Sequence, residues 1–102
     1  MVMKFEIAII RQLPYFVAVA EELNFQRASE RLNIAQSALS RRIRDLEHDL
    51  GEAPLFVRHA RGVTLTPSGE TLLEDARKIL ALVEQAGRRA QQAAHGLSLI
   101  HI

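Results

Sequence analysis

Between Gln26 and Arg44 the chain carries five arginines (Arg27, Arg31, Arg41, Arg42, Arg44) against the single acid Glu30. Gln36, Ser37 and Ser40 are interleaved with them. Guanidinium groups pair bidentately with guanine edges or clamp phosphate oxygens, and small amide and hydroxyl side chains exchange hydrogen bonds at base edges while letting a backbone come close. These residue types suit reading a polyanion rather than breaking bonds. A solvated face on an amphipathic helix has the same composition, so the cluster by itself leaves both readings open.

Little else in the sequence offers reactive chemistry. Cysteine is absent, which removes disulfides and thiolate metal sites and agrees with a reducing cytosol. The four histidines, His48, His59, His95 and His101, are scattered with no second ligand at zinc spacing. There is no glycine-rich phosphate loop and no nucleophile–base pair. Asp45, Glu47, Asp49 and Glu52 gather near one helix end, where a solvated face is the simpler account. No catalytic, metal or cofactor site is therefore expected, and the chain is not expected to be an enzyme.

Spacing indicates the elements that must position the basic residues. Leu39, Ile43, Leu46 and Leu50 repeat at four, three and four, which at about 100° per residue gathers them on one side of a helix from about Gln36 to Leu50. Ser37, Ser40, Arg41 and Arg44 fall on the other side, with Gln36 at the start, where free N–H groups and the helix dipole favour phosphate. Gly51 supplies a helix stop. A short helix over Phe25–Leu32, capped by Asn24, precedes it across the break Asn33-Ile34-Ala35. A first helix is expected from about Arg11 to Leu23, carrying Leu13, Phe16, Val17 and Ala20 on one face and tolerating Pro14 in its first turn. Residues 1–10 read as an irregular leader.

Downstream the period changes. Leu55–Arg58 and Gly62–Leu65 are short β-prone segments flanking His59-Ala60-Arg61, which reads as a hairpin. Thr66-Pro67 then opens a helix expected to reach about His95, a rod of about 40 Å. Leu72, Ala76, Ile79, Val83, Ala86, Ala90 and Ala93 keep a four-three alternation along it, the seam of a helix that wants a partner. The expected fold is thus mainly α with a small β-hairpin: a winged helix-turn-helix over 11–66, a linker or dimerisation helix over 67–95, and an irregular tail over 96–102. With 48% hydrophobic and 25% charged residues the composition is that of a soluble globular chain. The uncharged run Ile7–Ile10 is far too short for a membrane span or a signal core.

The run Ala28-Ser29-Glu30-Arg31-Leu32-Asn33-Ile34-Ala35-Gln36-Ser37-Ala38-Leu39-Ser40-Arg41-Arg42-Ile43 resembles the helix-turn-helix of the LysR-type transcriptional regulators. So do Leu46-Glu47, Leu50-Gly51, Leu55-Phe56 and Leu65-Thr66-Pro67-Ser68-Gly69, and the opening Arg11–Glu21 is similar to that family's first helix. The resemblance implies a bacterial, cytoplasmic regulator that reads inverted-repeat half-sites in double-stranded DNA. It implies base-reading or groove-edge positions for Gln36, Ser37, Ser40 and Arg41, while Ala38, also counted in the DNA-facing set, stands where many members have proline, so that a shape contact is lost or softened there. Arg27 matches a phosphate-contacting position, and Arg44 joins the DNA-facing set from its place on the outward side of the helix. Arg58 and Arg61 belong to the wing, whose arginine enters an adjacent minor groove.

The same resemblance implies a homodimer through the linker helix, with Leu72, Ala76, Ile79, Val83, Ala86 and Ala90 in the seam. A small-molecule effector is expected only for a full-length protein, because the family's effector-binding domain is not present in this sequence. The rival reading is a helical dimerisation or protein-interaction module that does not bind DNA. Salt-sensitive DNA affinity separates the two.

Overall fold

The computed structural model describes residues 2–100, with side chains described for residues 5–96. Four helices and one hairpin follow in the order α1 (Val2–Glu22), α2 (Phe25–Leu32), α3 (Gln36–Asp49), β1 (Phe56–His59), β2 (Gly62–Leu65) and α4 (Pro67–Ile100). This is the mainly helical, winged architecture that the spacing predicts.

The first difference lies at the amino end. Residues 2–10 are helical and continuous with α1, not an irregular leader. The reason is visible in the spacing: Ile9, Leu13 and Phe16 carry the core-facing stripe upstream of the expected start, and Ile9 packs against the buried cluster, whereas Phe5 is exposed. Pro14 therefore sits inside the helix rather than in its first turn. It cannot donate to the Ile10 carbonyl and its ring crowds that group, but both residues are exposed, so water can satisfy the freed carbonyl.

Local chemistry fixes α2 at both ends. The Asn24 side chain accepts the Arg27 N–H at 2.9 Å, and Asn33 takes a left-handed conformation (φ 55°) that ends the helix. The N–H of Ile34 returns to the Ser29 carbonyl at 3.0 Å. This tight turn carries the chain directly into α3, whose Leu39, Ile43 and Leu46 are buried against α1. Gly51, at φ +75°, closes α3 by donating to the His48 carbonyl.

The hairpin pairs antiparallel with Phe56 opposite Leu65 and His59 opposite Gly62, leaving a two-residue turn at Ala60-Arg61. The strand thus begins and ends one residue later than the sequence suggests. Leu55 is drawn out of the ladder because its N–H is taken by the Glu47 carboxylate (2.8 Å) and its carbonyl by the Thr66 N–H (3.0 Å). At the other end Val63 donates to the Leu23 carbonyl at 3.1 Å, pinning β2 to the α1–α2 corner. Gly62 is required there: a Cβ would sit 2.4 Å from that same Leu23 oxygen, and the residue has φ +136°.

Thr66 caps α4 by accepting the Gly69 N–H at 3.0 Å. The helix then runs 34 residues to Ile100, past the end expected at His95. Gly96 lies within it, because one glycine costs roughly 1 kcal/mol and no proline follows to stop the helix. The expected irregular tail is therefore helical from residue 96 to 100, while positions 101 and 102 lie outside the described residues. α4 carries the molecule's 61 Å long axis well beyond the core.

That core is built from Leu13, Phe16, Val19, Leu39, Leu46 and Leu55, all essentially inaccessible. The Phe16 and Phe56 ring centroids are 5.4 Å apart, and those of Phe25 and Phe56 are 6.0 Å apart, linking α1, the wing and α2. Ala76 of α4 is fully buried in the same cluster, with Leu72, Leu73 and Leu80 packed at its edge. Of the expected seam, Ala76 is thereby corrected, since it is fully buried in the chain's own core, while Leu72 packs against that core and stays half-buried. Periodicity alone does not distinguish burial within a chain from burial between chains. Beyond that point the seam is open, with Ile79, Leu82 and Val83 at 39%, 61% and 60% exposure. Ala86 and Ala90 are exposed as well.

Candidate nucleic-acid interface

Two elements converge on one face. Gln36, Ser37, Ala38, Arg41 and Arg44 are exposed on α3, with Ser40 half-buried among them. From the wing come Arg58, His59 and Arg61, all exposed. Between α3 and the wing lies an open concavity of about 330 Å³ whose lining includes Asn24, Gln26, Gln36, Arg58, His59 and Arg61. A second, of about 310 Å³, brings Ser40 and Arg44 of α3 together with Arg58 of β1.

Charge is distributed unequally between this face and the rest of the surface. Arg31 meets Glu21 at 2.8 Å and Glu22 at 3.4 Å, and Arg77 of α4 reaches the same Glu21 at 3.2 Å. The Arg31 hydrogen bond, with Arg77 beside it, holds the Glu21 carboxyl below its ordinary value. One carboxylate thus joins α1, α2 and the base of α4. Arg88 and Lys78 pair along α4 with Glu84 and Glu74. Among the described residues Arg41, Arg44 and Arg61 have neither an ion pair nor a hydrogen-bonding side-chain partner, as is also true of Arg11 on α1 and Arg89 on α4. On α3 and the wing the unpaired guanidinium groups give a locally positive surface, with Asp45 the acid that lines a concavity beside Arg41 and Arg42.

Backbone groups add to it. α3 is preceded by Ala35, which makes no side-chain cap, so the first N–H groups of the helix are not satisfied by a capping side chain. They open beside Gln36, where an anion would find both the N–H groups and the positive end of the helix dipole.

Two arginines are placed differently from the simplest expectation. Arg27 is turned toward the end of α1, donating to the Glu22 carbonyl at 2.9 Å with its Nε 3.8 Å from the Glu22 carboxylate. It closes a helix terminus in this conformation rather than pointing outward unpartnered. The Arg58 guanidinium lies 4.2 Å from the centroid of the Phe25 ring, a cation–π contact that fixes it between wing and α2. Arg42 stacks similarly over Tyr15 at 4.7 Å.

The sequence also concealed a supporting residue. Glu47 belongs to the acidic group read as a solvated face, yet it holds the Leu55 N–H and so fixes where the wing leaves α3. The neighbouring His48 pairs with Glu52, whose hydrogen bond raises the imidazole above its ordinary value. Among the described residues no group of three or more His, Cys, Asp or Glu could hold a metal ion. None of the described helices is long and apolar enough to cross a membrane.

Known proteins share this arrangement. The family profile described as bacterial regulatory helix-turn-helix protein, lysR family, matches residues 10–70. The chain is 55% identical over 89 residues to the HTH-type transcriptional regulator TfdT of Cupriavidus pinatubonensis, covering 87% of this chain and 39% of that regulator. It is 52% identical over 83 residues to the Hca operon transcriptional activator HcaR of Escherichia coli, covering 81% of this chain and 28% of the activator. The chain therefore spans well under half the length of these relatives.

Among solved structures, the CbnR DNA-binding domain in complex with DNA superposes with a TM-score of 0.78 at 46% identity, covering 83% of this chain and 97% of that one. The BenM DNA-binding domain bound to catB site 1 DNA gives 0.79 at 42% identity, covering 83% and 94%. With the family profile spanning more than half of the sequence and these identities over most of it, the chain belongs to the lysR family of bacterial regulatory helix-turn-helix proteins.

Proposed function

We propose that the chain binds double-stranded DNA sequence-specifically as a homodimer and acts as the DNA-reading part of a transcription regulator in the bacterial cytoplasm. The observation that carries this reading is the face shared by α3 and the wing, where Arg41, Arg44 and Arg61 stand unpaired beside exposed Gln36 and Ser37. α3 enters the major groove, with Gln36, Ser37, Ser40 and Arg41 toward base edges and Ala38 giving close approach. Arg44 and Arg58 meet the backbone. Arg61, at the two-residue turn, reaches into the adjacent minor groove, where a narrow A·T-rich stretch attracts an arginine. Arg27 contributes to phosphate binding through whichever of its donors Glu22 leaves free.

The dimer reading draws support from α4. Ile79, Leu82 and Val83 form an exposed apolar strip on a helix that projects from its own core, and Ala86 and Ala90 beyond it allow close helix approach. Pairing there would present two α3 helices to half-sites about 34 Å apart. The relatives carry most of their length elsewhere, so a response to a small-molecule effector belongs to a longer protein of that kind.

Repeated selection from a randomised duplex pool tests the proposal. The expected product is an interrupted inverted repeat with half-sites about one helical turn apart. Recovery of unenriched sequence after several rounds, from a chain shown to be dimeric, would count against sequence-specific reading.

A further inference from the structure

We infer that His59 is a proton-dependent contact to DNA phosphate, so that this chain grips DNA more tightly as pH falls through the range in which imidazole takes up a proton. The inference rests on the DNA reading and deepens it. His59 ends β1, opposite Gly62, and lines the concavity between α3 and the wing. A strand running from the major groove read by α3 to the minor groove reached by Arg61 would pass this concavity.

The electrostatic surroundings give the sign. The charged groups lining the concavity are Arg58 of β1 and Arg61 of the turn; α2 contributes Asn24 and Gln26, α3 contributes Gln36, and β2 contributes Gly62 and Val63. None of these residues is an acid. Nor does His59 have an ion pair or side-chain hydrogen bond among the described residues. In the free chain a proton on the imidazole adds a third positive charge beside two arginines, with no carboxylate in the concavity to offset it.

A phosphate arriving there reverses that balance, because the imidazolium becomes a charge-assisted donor. Binding then draws in a proton, and linkage requires affinity to rise as pH falls. Comparing pH 8 with pH 6 spans the range in which imidazole side chains in general change charge. His48 is in a different position: it sits near the far end of α3 and is already engaged by Glu52. His95 is exposed near the end of α4.

Fluorescence anisotropy with a randomised duplex, at fixed salt and at pH 8 and pH 6, tests this. The wild-type chain is expected to bind roughly tenfold more tightly at pH 6. His59→Gln should remove most of that difference, whereas His48→Gln should keep it. His59→Lys, charged throughout, should bind with little pH dependence and at least as tightly as the wild type does at pH 6. A slope that survives unchanged in His59→Gln, or a flat wild-type profile with strong binding, overturns the inference while leaving DNA binding intact. Absence of binding at both pH values overturns the DNA reading and this inference together.

Discussion

Replacing Arg41 and Arg61 together by alanine should weaken binding to a selected duplex by about a hundredfold or more while leaving the melting temperature within roughly 4 °C of the wild type. Both expectations follow from the same observation. Neither guanidinium has an ion pair or hydrogen bond within the chain among the described residues, and both are exposed. Surface changes of that kind seldom move stability by more than about 0.5 kcal/mol. Each such arginine contributes about 1–3 kcal/mol where it pairs with a base or clamps phosphate, and a dimer presents every contact twice. Anisotropy titrations give the affinity, and a melting curve on the same sample gives the stability. Unchanged affinity in the double variant would refute the placement of α3 and the wing on DNA. Arg31→Ala is the informative contrast, because Arg31 holds Glu21 and Glu22 and its loss would act on the frame rather than on the reading face.

The second large effect concerns the frame itself. Phe16 is completely buried, and its ring sits 5.4 Å from that of Phe56, which in turn lies 6.0 Å from Phe25. Three rings from three elements therefore meet beneath the wing, and Arg58 rests on the last of them. Truncating a buried phenylalanine to alanine costs about 3–5 kcal/mol, a large part of the roughly 5–15 kcal/mol that holds a small domain folded. For a chain of this size the melting temperature should fall by more than about 12 °C. Phe16→Leu, which keeps most of the volume, should lose less than half as much. Melting followed by circular dichroism measures both. A drop of only a few degrees in Phe16→Ala would show that the aromatic cluster is not what seats the wing.

Which features the sequence revealed depended on how local their causes are. α2 could be read to the residue because Asn24 and Asn33 cap it from within one turn on either side. The Thr66 cap of α4 was legible for the same reason. The start of α1 was not, since residues 1–10 have no capping signal and their helical stripe acquires meaning only once Ile9 is seen against the core. Ala76 fits a heptad as well as Val83 does; only the path of α1 across α4 makes the first internal and leaves the second exposed.

The site divides along the same line. The exposure of Arg41 and Arg44 on α3 follows from residue type and helical phase, and that of Arg61 from its place in the hairpin turn, all properties of the local sequence. Arg27 and Glu47 were not, because their partners, the Glu22 carbonyl and the Leu55 N–H, lie across a turn or a loop. Composition reports such residues as charge, whereas the fold assigns one to a helix terminus and the other to the entry of the wing.

The most direct test of DNA binding through this face is a salt titration of duplex affinity by the wild-type chain. A protein that neutralises several phosphates loses affinity linearly in log–log form, with a slope of about −0.9 for each phosphate contacted. Contacts from Arg44, Arg58 and the start of α3, doubled in a dimer, predict a slope of roughly −5 or steeper. Affinity that stays flat with salt, or no binding even at low ionic strength by a folded dimer, would contradict the account and favour the exposed strip of α4 as the interacting surface.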